Sequence, residues 1–350
     1  MINNWIQKDV LNQPSYKVKT TPFKIKLNQN ESPWDWPIEI KKVIGESILE
    51  SNWNRYPDLI PKELKKKIGE LNNIDKKGVV IGKGSNEILQ ALFTACIRSS
   101  EPVVTLSPTF AVYKMLAEQK GAQFLESKLD FNFEINLSDL LSKSKQAKLT
   151  IICNPNSPTG TLLSINIIEK IIQNTSGLVI IDEAYVDFSN CSSVGLLSSY
   201  GNLIVTRTFS KAFAMAGFRI GYGLMSGVLA SEIQKCLLPF NVDMPSLVAL
   251  NTLLDHSNIV AERAKYICEE RNRMVNELNT IPGMDAIRSQ SNFFLISTMY
   301  SPEYVFNYLA KNGILIRNVS SYNGLEKYNR ITVGTPDENN ALIKILKEMF

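Results

Sequence analysis

Short runs of Val, Ile and Leu recur along the first two-thirds of this chain, separated by longer stretches whose apolar residues return every three or four positions. The runs are GVVIGKGSN, EPVVTLSPTF, KLTIICNPNSPTG, GLVIIDEAYVDF, NLIVTRTFSKAF and RIGYGLM. Because they are continuous rather than alternating, they predict strands covered on both faces, as in a mainly parallel α/β sheet. Each ends in polar or glycine-rich residues, and in such sheets ligands bind at the C-terminal ends of the strands. Those polar ends should therefore converge in space although they lie far apart in sequence.

After Pro245 the texture changes to one long helical stretch, SLVALNTLLDHSNIVAERAKYICEERNRMVNELNTI, followed by short strands alternating with helices to the C-terminus. That alternation predicts a smaller α+β domain. The expected division is an N-terminal arm over 1–30, a large α/β domain over 31–245 and a small domain over 246–350. Neither an internal repeat nor a low-complexity linker separates them, so a broad shared interface is expected.

Composition narrows the classes. With 350 residues, 44% of them hydrophobic, the chain can bury a large core. The opening MINNWIQKDVLNQPSYK lacks the apolar centre of a signal peptide, and no later run approaches the roughly 20 apolar residues that cross a bilayer. A soluble, cytoplasmic protein is expected. Five scattered cysteines form no C-x-x-C pair, which predicts reduced thiols rather than a disulfide framework or a zinc cluster. His256 is the sole histidine, so no metal site is expected, and general acid or base work falls to lysine, tyrosine or a carboxylate. A net charge of +4 is too small to predict a nucleic-acid partner but suits anionic small molecules. The one dense basic run, PKELKKKIGE, has Leu64 and Ile68 on one side and reads as a solvated helix face.

Within that frame, TFSKAFAMAGFRIGYG (208–223) poses a question: a lysine and an arginine sit among glycines and small apolar residues. Lysine held in a dry, electropositive site has a lowered pKa and can form a Schiff base with an aldehyde, which gives Lys211 a use. Arg219, flanked by Gly217 and Gly221, can hold a phosphate in a bidentate fork. GKGSNEIL begins a helix near Ser85 or Asn86, whose free N–H groups also suit a phosphate, although a structural turn explains it equally well. It is neither a Walker motif nor a dinucleotide fingerprint, since Glu87 stands where the third glycine belongs.

Asp182 ends an all-apolar strand, where a carboxylate needs a cationic partner such as a protonated pyridine nitrogen, and Tyr185 can reach the same ring. An N-cap for Asp182 and core packing for Tyr185 are the structural alternatives. Phe110, just past a strand end, can stack on a planar ligand, although a lone phenylalanine is more often core. NPNSPTG is a stiffened loop whose Asn and Ser side chains offer neutral hydrogen bonds. A helix start, an aspartate, a lysine and an arginine, in this order along the chain, together describe one cofactor, pyridoxal 5'-phosphate.

The chain at this point resembles the fold-type I pyridoxal-phosphate enzymes, and among them the histidinol-phosphate aminotransferase family. The resemblance runs through PSYK, KLNQNESP, NRYPD, GKGSNEIL, PTFAVY, NPNSPTG, IDEAYVDF, TFSKAFAMAGFRIGY and NRITVGT. It implies that Lys211 carries the covalent link to the cofactor, that Asp182 pairs with the pyridine nitrogen and that Tyr185 bonds the phenolic oxygen. Phe110 would stack on the ring, and Ser85, Asn86, Ser210 and Arg219 would hold the phosphate. Tyr56, in RYPD, would reach across from a second subunit, which implies a homodimer. Arg330 would grip a substrate carboxylate, while Tyr16, Asn30 and Arg317 would shape the substrate pocket.

In one place the chain departs from the family: Ser157 stands where many relatives have asparagine beside the phenolic oxygen. A serine reaches less far, so Asn156, a water or Tyr185 would share its work. Ser157-Pro158 is a candidate cis peptide.

The implied reaction is amino transfer between L-histidinol phosphate and 2-oxoglutarate, giving imidazole-acetol phosphate and L-glutamate in histidine biosynthesis. The same motifs fit an aromatic or other amino-acid aminotransferase, or a decarboxylase of a phosphorylated amino acid. A nicotinamide dehydrogenase is opposed by the missing glycine and by the lysine and arginine it would leave unexplained. A non-catalytic binding protein on the same scaffold is the remaining class.

Overall fold

The structure, a computed structural model, describes residues 5–6, 8–11 and 22–350. Tyr16 lies outside the described residues. Strand β1 (Ile25–Lys26) comes first, followed by β2 (Val79–Gly82), β3 (Pro102–Ser107), β4 (Gln123–Lys128), β5 (Leu149–Cys153), β6 (Leu178–Asp182), β7 (Leu203–Thr208) and β8 (Gly221–Leu224). Strands β2 to β8 form one sheet in the order β2-β8-β7-β6-β5-β3-β4.

Five of these strands, β7-β6-β5-β3-β4, run parallel, and β8 is antiparallel to both its neighbours, β2 and β7. The apolar runs explain the layering: β5 is buried at every position and β6 at all but its first, so both faces need cover. Two apolar clusters supply that cover, one with Ile152, Ile181 and Val205 and the other with Ile151, Ile180 and Ile204. Alternate residues of each strand thus feed opposite faces.

One strand goes unmarked by the apolar runs, and one expectation is corrected in detail. QFLESK carries no apolar run, yet it forms β4, because as the edge strand it is mostly solvated and needs little apolar surface. The long helical stretch after Pro245 is two helices, Met244–Leu254 and Ser257–Leu278, broken at Asp255 and His256. His256 stands at the start of the second, half-buried. The basic run PKELKKKIGE behaves as expected, with Leu64 and Ile68 of helix Lys62–Asn72 buried and Lys67 bonded to Asp255 at 2.8 Å.

Strands β9 (Met284–Ala286), β10 (Phe293–Thr298), β11 (Ile314–Leu315), β12 (Arg317–Asn318) and β13 (Tyr328–Thr332) follow. Four of them make an antiparallel sheet, β12-β13-β10-β9, and β11 pairs instead with β1. The N-terminal segment around Ile25 is therefore stitched to the C-terminal part of the chain, which carries Asn28 to Glu31 toward the strand ends of the large sheet. All five cysteines are free thiols, and no helix among the described residues is long and apolar enough to cross a membrane.

Candidate active site

The C-terminal ends of β2, β3, β5, β6 and β7 lie at one edge of the large sheet, so the loops after them meet. β6 ends at Asp182, which is 2% exposed. Its Oδ2 accepts a hydrogen bond from the Tyr113 hydroxyl at 2.7 Å, while its Oδ1 is buried without a hydrogen-bond partner among the described residues. Burial pushes the carboxyl above its ordinary pKa, and Tyr113, Thr206 and the Ala184 N–H pull the other way. A carboxylate so placed calls for a cationic donor at Oδ1.

The turn after β7 holds Ser210 and Lys211. Lys211 is partly exposed in a cleft, and its Nζ donates to the Gln29 carbonyl at 2.9 Å. Desolvation, followed by the nearby charge of Arg330, lowers its pKa to about 7, with Arg219 and Lys26 adding to the effect and Glu31 opposing it. Its ammonium stands 5.7 Å from the centre of the Tyr185 ring.

Arg219 occupies a left-handed backbone conformation, φ 56°, rare for a residue with a side chain. Its guanidinium donates to Ser210 Oγ at 3.2 Å and to the Ala216 carbonyl at 3.1 Å. Two glycines make this placement possible. A Cβ on Gly84, whose φ is +78°, would lie 3.1 Å from Arg219 Nη2. One on Gly221 would lie 2.3 Å from the Ser85 nitrogen and 2.7 Å from the Gly84 carbonyl carbon. Helix Ser85–Cys96 has no side-chain cap, and its first residue lies beside Gly221 while its N-cap Gly84 lies beside Arg219. The sequence-predicted set of Ser85, Asn86, Ser210 and Arg219 is thus gathered at one helix start.

On the other side of Lys211, Tyr185 accepts a hydrogen bond from Asn30 Nδ2 at 3.0 Å and packs edge-on against Phe293 at 5.1 Å. Burial holds the phenol above its ordinary pKa, with Arg330, Asn30 and Ser157 opposing. Asn30 is pinned by Thr332 and Asn292. Arg330 donates to the Asn28 carbonyl at 3.0 Å and to Ser157 Oγ at 3.4 Å. Arg317 faces Arg330 across β12 and β13, so the two arginines share one face of the small sheet.

Phe110 is half-buried and packs edge-on to Tyr113. The Ser157-Pro158 bond is cis, as the sequence predicted. Asn156 spends its amide on its own loop and on the one after β3, donating to Thr159 Oγ1 and the Pro108 carbonyl and accepting from Thr109. Ser157 rather than Asn156 therefore turns toward Tyr185 and Arg330. Tyr56 stands apart from this cluster, 80% exposed and stacked on Phe240 at 4.5 Å.

Sequence reasoning missed Tyr113, although it follows Phe110 by one helical turn in PTFAVY. It also missed the layer beneath the site. Glu183, with a fully buried side chain, pairs with Arg207 at 2.7 Å, and Arg207 also donates to Asn72 Oδ1 at 2.6 Å. The signal was present in two adjacent carboxylates ending an apolar strand, since the second needs a partner as much as the first.

The arrangement can hold a planar, anionic group and move a proton beside it. Comparison with known proteins agrees with that chemistry. The model of the aminotransferase class I and II family matches residues 22–346. A histidinol-phosphate aminotransferase of Thermoanaerobacter sp. (strain X514) is 34% identical over 353 residues, covering 100% of each chain. One from Prosthecochloris aestuarii is 35% identical, with 93% of this chain and 92% of its own covered. Among solved structures, the histidinol-phosphate aminotransferase of Clostridium acetobutylicum superposes with TM-score 0.86 at 28% identity, covering 93% of this chain and 98% of its own. That of Sinorhizobium meliloti, in complex with pyridoxal-5'-phosphate, superposes with TM-score 0.85 at 22% identity, covering 93% and 91%.

Proposed function

We infer the reaction of this chain from its kinship: it belongs to the aminotransferase class I and II family and, within it, to the histidinol-phosphate aminotransferases. It is a pyridoxal-phosphate-dependent aminotransferase that exchanges an amino group between L-histidinol phosphate and 2-oxoglutarate in histidine biosynthesis. The observation that carries the reading is the meeting of Lys211, Asp182, Arg219 and Arg330 at the strand ends of one sheet.

The residues fit the cofactor. Among the described residues Asp182 Oδ1 is a buried acceptor without a donor, which a protonated pyridine nitrogen would supply. The bare Cα of Gly84 keeps the helix start and Arg219 open to a phosphate. When bound, pyridoxal 5'-phosphate supplies an electron sink for negative charge on the substrate carbon.

The chain's own groups would then act as follows. Ser85, Asn86, Ser210 and Arg219 hold the phosphate, Phe110 covers the ring, and Tyr185, with Ser157 beside it, faces the phenolic oxygen. Asn156 contributes by fixing the loop that presents Ser157. Lys211 Nζ, whose pKa burial and Arg330 lower to about 7 in the cofactor-free protein, would hold and return the proton of the amine-bearing carbon. Arg330 and Arg317 present two cations on one face. That suits a pocket that must accept the phosphate of one substrate and the carboxylates of the other.

The division into an arm (1–30), a large domain (31–245) and a small domain (246–350) is part of this reading, with β1 of the arm joined to the small domain through β11. So is a cytoplasmic homodimer in which Tyr56 serves the neighbouring site. Its support is the exposed apolar set of Leu49, Trp53, Tyr56 and Leu59, each more than half exposed.

Lys211→Ala tests the assignment. The variant should keep the wild-type circular dichroism and lose amino transfer; turnover surviving at a wild-type rate would remove Lys211 from the reaction.

A further inference from the structure

A cavity of about 1190 Å³ lies between the large sheet and helix Ser257–Leu278, against about 380 Å³ for the space lined by Lys26, Glu31 and Ser210. Lys211, Asp182, Tyr185, Arg219 and Arg330 take no part in its lining. Its charge is uneven. On the sheet side it is lined by Asp187 and by Arg207, which is already paired with Glu183. On the other side Lys265, Arg271 and Arg288 line it against one carboxylate, Glu269.

Arg271 is the informative member. It is 4% exposed, yet among the described residues its guanidinium bonds only neutral groups: the Ser291 carbonyl at 2.9 Å, Asn272 Oδ1 at 3.2 Å and, at 3.9 Å, Cys268 Sγ. A buried guanidinium without a carboxylate partner is costly unless an anion compensates it. The cavity it lines is open enough for one and large enough for a metabolite.

We propose that this cavity is a second binding site, distinct from the Lys211 cleft, for a small organic anion whose carboxylate or phosphate compensates Arg271 with Lys265 and Arg288 nearby. Occupancy would be felt at the reaction centre. Arg271 holds the Ser291 carbonyl, the next residue donates from Asn292 Nδ2 to the Asn30 carbonyl at 3.1 Å, and Asn30 donates to Tyr185 at 3.0 Å. Thr208 and Phe209 line the cavity and lead directly into Ser210 and Lys211. An anion that shifts this wall changes the affinity for the amino donor, and the donor changes the affinity for the anion by the same factor.

Calorimetry on the cofactor-loaded protein tests this, with inorganic phosphate, citrate and adenosine monophosphate as probes. The wild type is compared with R330Q, which weakens anion binding in the Lys211 cleft, and with K265Q/R288Q, whose side chains are exposed. At least one probe should bind at millimolar concentration or below, bind equally well to R330Q, and bind about tenfold more weakly to K265Q/R288Q. Without probe, K265Q/R288Q should transfer amino groups at the wild-type rate. Binding lost in R330Q, binding undiminished in K265Q/R288Q, or no heat from any of the three probes overturns the proposal.

Discussion

Lys211 is set apart from the other lysines by where its charge sits. Burial strips the ammonium of water, Arg330, Arg219 and Lys26 crowd it against a weaker pull from Glu31, and the balance favours the neutral amine. In the cofactor-free protein the amine gains nucleophilicity as pH rises through about 7, whereas an ordinary lysine does so near 10.4. Competitive acetylation followed by peptide mapping should therefore label Lys211 with a midpoint about three units below the bulk lysines. A midpoint shared with the bulk would mean the cleft does not desolvate it. Tyr113 makes a second case. Its hydroxyl donates to Asp182 Oδ2, and a bond to a charged group is worth roughly 1.5–3 kcal/mol. Tyr113→Phe should loosen the cofactor about tenfold or more in an absorbance titration, with the fold intact. Asp182, Lys211 and Arg219 were legible in the sequence because charge inside apolar or glycine-rich runs demands a use. Tyr113 was not, because an aromatic residue in a helix satisfies the core equally well.

Among the elements, continuous apolar runs marked every strand of the large sheet but β4. An edge strand needs apolar surface on fewer positions, and Gln123–Lys128 is mostly solvated. The antiparallel insertion of β8 between β2 and β7 was not legible either, since a run of buried residues carries no direction. Nor was the break between helices Met244–Leu254 and Ser257–Leu278, because Asp255 and His256 interrupt neither the apolar spacing nor the chain with glycine or proline. β8 nonetheless supports the site directly, because its first residue, Gly221, lets the strand lie against the helix start at Ser85. Adding a methyl there meets backbone at 2.3 Å, and backbone cannot yield as a side chain tip can. Gly221→Ala should cost about 1–3 kcal/mol in urea unfolding and weaken cofactor retention together. A variant as stable as wild type with full cofactor affinity would show that β8 does not brace the phosphate site.

For the whole molecule, the cluster around Lys211 is assembled from both sheets, with Asn30 and Arg330 reaching it from the part of the chain tied to the small sheet. Tyr56 is absent from that cluster, and in this reading it acts on the partner's site. Mixing inactive Lys211→Ala with a crippled Tyr56→Ala variant should then restore activity, because in a mixed dimer one site has both an intact lysine and an intact tyrosine. No recovery after subunit exchange would place Tyr56 outside the chemistry. In this reading substrate choice is likewise a property of the assembled molecule, since Arg317 and Arg330 belong to the small sheet and Lys211 to the end of the large one. The most direct measurement is kcat/KM for L-histidinol phosphate against L-phenylalanine, L-tyrosine and O-phosphoserine, with 2-oxoglutarate as acceptor. Histidinol phosphate should exceed each of the others by at least about tenfold, the discrimination of a pocket built on charge-assisted bonds to a phosphate. A higher value for phenylalanine or tyrosine, or carbon dioxide release from phosphoserine in place of amino transfer, would contradict the account.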